Sequence, residues 1–333
     1  MFKARLKAEI SKVNFLLGRN PFTETISNYR NYIPKPYQSV LLLSADFELA
    51  WAWRYTKSSK NPYGKTILKA RKERENIPQL IKLCEQYNIP ITWLTVGHLF
   101  LESCEKVNGI VHPDIIRPNH FENNYWKFTG KDWLEYDPCS NVNDATEWYA
   151  PDLIKMIKES PVNHEIGCHT FSHIDCRDEV CSPEQLKIEL QECKKLAKER
   201  GLKLKSFVHP GHTIGNLDIL ANEGFTNFRT DYRNVLGYPV KHDNGIWELQ
   251  QTAEIAYRKE WTVDYHIKRY NMIIDRAIKS SSVCVLWFHP SFEDVFIDKI
   301  LPNLFAHINK KQKHIWVTTQ SIYFDWQNKN SIL

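Results

Sequence analysis

The chain of 333 residues has no membrane-length apolar run, no low-complexity tract, no CxxC pair and little charge imbalance. Without a stretch approaching about 18 apolar residues, no helix is predicted to cross a bilayer. Twelve glycines and 16 prolines, with 42% hydrophobic residues, exclude collagen-like, coiled-coil and disordered chains. Forty-four Lys and Arg against 39 Asp and Glu leave a dispersed net charge of +5, so no nucleic-acid partner is predicted. The eight cysteines (Cys84, Cys104, Cys139, Cys168, Cys176, Cys181, Cys193 and Cys284) have no dense disulfide pattern and read as reduced thiols. From Met1 to Arg19 the only consecutive apolar run is Phe15-Leu16-Leu17, too short for the core of a secretory signal. A cytoplasmic protein is the expectation.

What is present is a repeating alternation. Short apolar runs at 40–43, 89–96, 165–168, 206–208, 246–249, 283–288 and 315–317 read as buried strands. Segments with helical period lie between them at 75–87, 151–158, 183–200, 217–222, 263–279 and 297–308. Ser182 as N-cap, Pro183 at the first position and Gly201 beyond the end delimit one of these. Strand and helix alternating without a linker-like composition shift predict one α/β barrel of about seven parallel strands over 38–325. A basic extension, 1–37, precedes it and a tail, 326–333, follows. Lys3, Arg5, Lys7, Lys12 and Arg19, interleaved with Phe2, Leu6, Ile10 and Val13, form an amphipathic helix. Such a helix suits either a peripheral contact with an anionic membrane or docking on the protein's own body. About 99–150, after the second strand, the rhythm breaks; a long connection there falls at the mouth of a barrel. Its Trp126, Trp133, Tyr136 and Trp148 suit stacking on sugar rings or pinning the loop.

Three strand ends carry the chemistry. Asp46 and Glu48 follow the first strand at alternate positions, so both face one site if the strand continues. Two carboxylates so close repel unless a cation, an arginine or a shared proton relieves them. His169 and His173 follow 165–168 four residues apart; on a helical turn both would reach one divalent ion. The apolar run 283–288 ends in His289. Parallel barrel strands bring these ends to one face.

In combination, these segments resemble the polysaccharide deacetylase family, the NodB-homology carbohydrate esterases of family 4 type. An acidic motif (Val40 to Glu48), a histidine motif (Glu165 to His173), a Pro loop (Ser206 to Gly211) and a final strand ending in histidine (Leu286 to His289) appear in the family's order. The resemblance covers roughly 38–325 and implies a distorted (β/α) barrel. It also implies a divalent metal, zinc by default with Co, Ni, Mn or Fe admissible, held by Glu48, His169 and His173. Asp46 would be the catalytic base and His289 the general acid, with the roles of Asp46 and Glu48 open to exchange. The backbone N–H of Gly211 would help hold an oxyanion. The family's Pro-loop arginine is missing; His209 or His212 would replace it in orienting the base. For the family's motif between the Pro loop and the last strand, Arg229, Asp231 and Glu248 are candidates. Arg229 and Glu248 join Trp126, Trp133 and Trp148 as candidate substrate contacts. The implied reaction is removal of acetyl groups from N-acetylated sugars of a polysaccharide or its lipid- or nucleotide-linked precursor. Alternatives are a hydrolase of non-sugar amides or imides, and a carbohydrate-binding protein that has lost turnover.

Overall fold

The segment 39–47 becomes strand β1 (Ser39–Phe47), all nine residues of it buried, in a computed structural model that describes residues 2–118, 121–128 and 132–330. Seven further strands run parallel to it and to one another: β2 (Thr92–Thr95), β3 (Glu165–Cys168), β4 (Ser206–Val208), β5 (Asn227–Thr230), β6 (Trp247–Gln250), β7 (Val283–Phe288) and β8 (Ile315–Thr318). Their spatial order is β6-β5-β4-β3-β2-β1-β7, with β8 against the first half of β1. The short strands Val240–Lys241 and Ala253–Glu254 lie at the two ends, so the sheet is a curled, distorted half-barrel. The sequence reading omits β5, whose Asn-Phe-Arg-Thr offers a single apolar residue and no run to detect.

Strand alternation sorts the side chains into two regions. Leu41, Leu43, Ala45 and Phe47 of β1 join Cys284, Leu286 and Phe288 of β7 in the large core beneath the helices. Val40, Leu42, Val283, Val285, Trp247 and Leu249 point the other way and pack on Tyr323 and Phe324. Those two aromatics belong to a helix, Gln320–Asn330, that plugs the bottom of the half-barrel. Above this plug the same inward-facing series continues as Ser44 and Asp46 on β1, as Trp287 on β7 and as His289 just beyond it. The barrel interior is therefore apolar at its base and polar at its mouth.

The helices confirm the predicted boundaries where caps are strong. The helix Pro183–Glu199 starts on Ser182, whose hydroxyl accepts the Gln185 N–H at 3.2 Å. The helix Pro62–Tyr87 is longer than expected, because its first half carries more charge than apolar period. Helix α1 (Phe2–Leu16) buries Ala8 and Phe15, and Trp261 Nε1 donates to the Ala8 carbonyl, so this segment docks on the body. Among the described residues no helix is long and apolar enough to cross a membrane. Among its described residues, the connection 101–150 holds as strands only the two-residue Phe121–Glu122 and Lys127–Phe128. Residues 119–120 and 129–131 of that connection, and 331–333 of the tail, lie outside the described residues.

Candidate active site

The C-terminal ends of β1, β3 and β7 meet around a cavity of about 720 Å³ lined by Asp46, Glu48, Trp126, His173, His209, Gly211, His212 and His289. Glu48 lies just beyond β1, as the cap of a short 3-10 turn, Leu49–Trp51. Its Oε1 is 2.8 Å from His169 Nε2 and 3.2 Å from His173 Nε2. His169 Nδ1 sits 2.8 Å from the Val208 carbonyl, an acceptor, so Nδ1 carries the hydrogen and Nε2 offers a lone pair toward Glu48. Two lone-pair atoms facing each other at that distance are the arrangement a cation between them relieves. The buried Glu48 Oε2 makes no hydrogen bond. Among the described residues, Glu48, His169 and His173 form one of three clusters able to hold a metal ion, and this donor set fits zinc.

The two histidines do not meet on a helical turn. Residues 169–173 are a loop in which Thr170 and His173 take left-handed backbone angles, each with φ of 59°. The loop is held from outside: Glu189 accepts the Ser172 N–H and hydroxyl at 2.8 and 2.6 Å, and Arg54 and Trp133 donate to the Ser172 carbonyl. Burial alone raises the Glu48 carboxyl, yet the charge of His289 leads the effects that outweigh it and hold Glu48 well below the usual carboxylate range. Burial pushes His173 down to about 4, so it is neutral.

Asp46 faces the same cavity but is bound differently. Arg229 of β5 donates through one nitrogen to both Asp46 oxygens, at 2.9 and 2.6 Å, and through the other to Ser44 Oγ at 2.7 Å. Arg229 is 1% exposed and stacked on Trp287, so it is a buried partner of the carboxylate and not a substrate contact. The expected histidine replacements do not touch Asp46. His209 Nε2 lies 3.1 Å from the Gly215 carbonyl, and His212 Nδ1 lies 3.5 Å from Asp231. The arginine comes from the strand that the sequence reading omits.

His289 Nε2 is 3.5 Å from Glu48 Oε2, and its Nδ1 is 3.8 Å from Glu254, a carboxylate not foreseen from sequence. Burial alone would lower the His289 imidazolium, but Glu48, Glu254 and Asp46 raise it to about 9. Gly211 lines the cavity at φ +54°, with the Trp126 ring so close that an added Cβ would overlap it. Besides Arg229, three expected substrate residues lie away from the cavity. Trp133 is buried between Tyr55, Phe128 and Arg54, and Trp148 packs edge-on against Trp51, so both pin the connection. Glu248 sits opposite Trp247 and Leu249 by strand alternation; it accepts from Thr230 and pairs with His242 outside the cavity. Of the tryptophans named from sequence in this connection, Trp126 alone reaches the cavity.

Residues 68–216 match the model of a family described as polysaccharide deacetylase. No curated protein matches the sequence. A polysaccharide deacetylase structure from Mycobacterium smegmatis superimposes with a TM-score of 0.62 at 13% identity, over 92% of this chain and 94% of that one. A second from Pseudomonas aeruginosa PAO1 gives 0.59 at 13% identity, over 90% and 94%. The structure of PuuE allantoinase gives 0.58 at 13% identity, over 88% and 91%. At these identities the likeness is one of fold.

Proposed function

We propose that the chain, whose residues 68–216 match the family described as polysaccharide deacetylase, hydrolyses the acetamido group of an N-acetylated sugar, with Glu48, His169 and His173 holding a divalent metal. The observation that carries this reading is the convergence of two imidazole nitrogens on one Glu48 oxygen, beside an arginine-held carboxylate and a third histidine. A metal bound there would polarise the acetyl carbonyl and lower the pKa of a water molecule. Asp46, fixed by Arg229, would take the proton of the attacking water as the new carbon–oxygen bond forms. His289, on the cavity wall beside Glu254, would give its proton to the nitrogen as the carbon–nitrogen bond breaks, since an amide anion is too basic to leave. Arg229 fills the place that an absent Pro-loop arginine leaves open, which supports turnover over a binding-only role.

The outer cavity supports a substrate that carries phosphate, such as a lipid- or nucleotide-linked sugar. Arg258 and Arg269 line it together with Ser11 and Asn20. Arg269 is 8% exposed, lies among the rings of Phe15, Trp261 and Tyr270, and has no carboxylate partner among the described residues. A buried guanidinium with no counter-charge leaves room for an anion. Helix α1, which contributes Ser11, exposes Leu6, Ile10, Val13 and Leu16 near Lys3 and Arg5, a surface suited to anionic lipid on the cytoplasmic side.

The test is metal content and acetate release for the wild type, His169→Ala, Asp46→Asn and His289→Ala, on neutral N-acetylated oligosaccharides and on their diphosphate-linked counterparts. His169→Ala should lose the cavity metal. Asp46→Asn and His289→Ala should retain it and lose on the order of 100-fold or more in turnover. Turnover of ureides or imides without acetate release from any sugar would overturn the reading.

A further inference from the structure

The connection 101–150 contains a second constellation of metal-ligating side chains, outside the cavity. His98, in the 3-10 turn that follows β2, meets Cys104, His112 and Asp137 from the connection. One donor atom from each lies within 4.8 Å of all the others. His98 is fully buried, Asp137 is 5% exposed, and His112 and Cys104 are half-buried.

The hydrogen positions decide what the cluster can be. His98 Nδ1 lies 3.2 Å from the Trp148 carbonyl, which only accepts, so Nδ1 carries the hydrogen. His98 Nε2 then presents a lone pair 2.9 Å from Asp137 Oδ2, which offers only lone pairs as well. That approach lacks hydrogen-bond geometry, and Nε2 is a buried nitrogen without a hydrogen-bond partner. His112 Nε2 reaches the same oxygen at 3.0 Å, and Cys104 Sγ stands 3.8 Å from both Asp137 oxygens. The outer nitrogen on a main-chain carbonyl and the inner one on a carboxylate repeat the arrangement of His169. A carbonyl that holds the outer N–H in this way fixes the ring of a metal-bound imidazole.

We propose that His98 Nε2, Cys104 Sγ, His112 Nε2 and an Asp137 oxygen bind a second divalent ion, zinc by its mixed nitrogen, sulfur and oxygen donors. Binding releases the Cys104 proton to solvent and leaves the thiolate on the ion. Four protein donors close the coordination sphere, so the role is structural. Three of them come from a segment with little regular secondary structure among its described residues, and the fourth from the 3-10 turn that follows a central strand. The ion staples the connection to the barrel, and with it the Trp126 wall of the cavity.

Cys139 offers Cys104 a disulfide as the alternative to an ion. Its Sγ is 3.0 Å from Cys104 Sγ, both are free thiols, and Tyr149 Oη is 3.2 Å from Cys104 Sγ. The experiment is to load the chelator-stripped full chain with Co(II) and record its spectrum and metal stoichiometry. Among the described residues this is the only candidate cluster that contains sulfur, so a thiolate-to-cobalt charge-transfer band reports on it alone. Two equivalents per chain and that band are expected. Cys104→Ser should lose the band and one equivalent, and melt at lower temperature. Cys139→Ser should keep both equivalents and the band, and His173→Ala should keep the band while weakening the cavity site. Absence of the band from the wild type, its persistence in Cys104→Ser, or a Cys104–Cys139 disulfide in freshly purified protein would overturn the proposal. Should Cys104→Ser fail to fold, the wild-type spectrum still decides. Because the band is blind to the cavity set, failure here is separable from failure of the deacetylase reading.

Discussion

Asp46 and Arg229 lie 183 positions apart and form the tightest buried ion pair in the cavity wall. The guanidinium fork spans Asp46 and Ser44, so it sets the angle of the carboxylate as well as balancing its charge. Arg229→Ala should lower acetate release by about 10- to 100-fold with cavity metal retained, because the proposed base loses its fixed direction. Arg229→Lys, a point charge without the fork, should fold but recover only part of the rate. Equal rates for wild type and both variants would show that Asp46 needs no such support. Asp46, Glu48, His169, His173 and His289 were legible as strand-end residues, because side-chain type and strand position suffice to find them. Arg229 was visible only as a candidate with the wrong duty, since its four-residue strand has no apolar signature.

Among the elements, the turns after the strands carry the strain. Residues 169–173 use two left-handed residues where a helical turn was expected, and Glu189, Arg54 and Trp133 hold them from outside. The turn Pro210–His212 places Gly211 at φ +54° beneath Trp126. Gly211→Ala should destabilise the protein by about 1–3 kcal/mol in denaturant unfolding, from the left-handed angle and the ring that must move. Its KM should rise more than its kcat falls, because the displaced ring belongs to the cavity wall. An unchanged KM would remove Trp126 from the substrate surface. The spacing of His169 and His173 was readable, but the loop's conformation was not, because residues distant in sequence impose it.

For the folded molecule, buried imidazoles make acid destabilising. Burial brings His164 from 6.5 down to about 4; its Nδ1 accepts the Ile91 N–H at 3.0 Å. His209 falls to about 3 for the same reason. The unfolded chain takes up these protons near pH 6.5 and the folded chain does not, so both groups withdraw stability as pH falls below about 6.5. Glu73, raised by burial and then by Glu48 to about 8, acts in the opposite direction. Its folded form holds a proton that the unfolded form has lost, so it adds stability as pH falls from about 8 to 4.5. His164→Asn keeps an acceptor for Ile91 and removes one titration. The loss of stability between pH 6.5 and 4 should be shallower in that variant than in wild type. Parallel unfolding free energies across this window would refute the assignment.

Local order along the chain was enough to establish an α/β barrel, the helix caps and the three strand ends around the cavity, because apolar period and capping chemistry act between near neighbours. Packing alone decided the rest: Arg229 on Asp46, Glu254 beside His289, Trp133 and Trp148 buried as pins, and His98 gathered with Cys104, His112 and Asp137. Each of these depends on residues brought together by curvature of the sheet and by the path of a long connection. Neither leaves a periodic trace in the sequence.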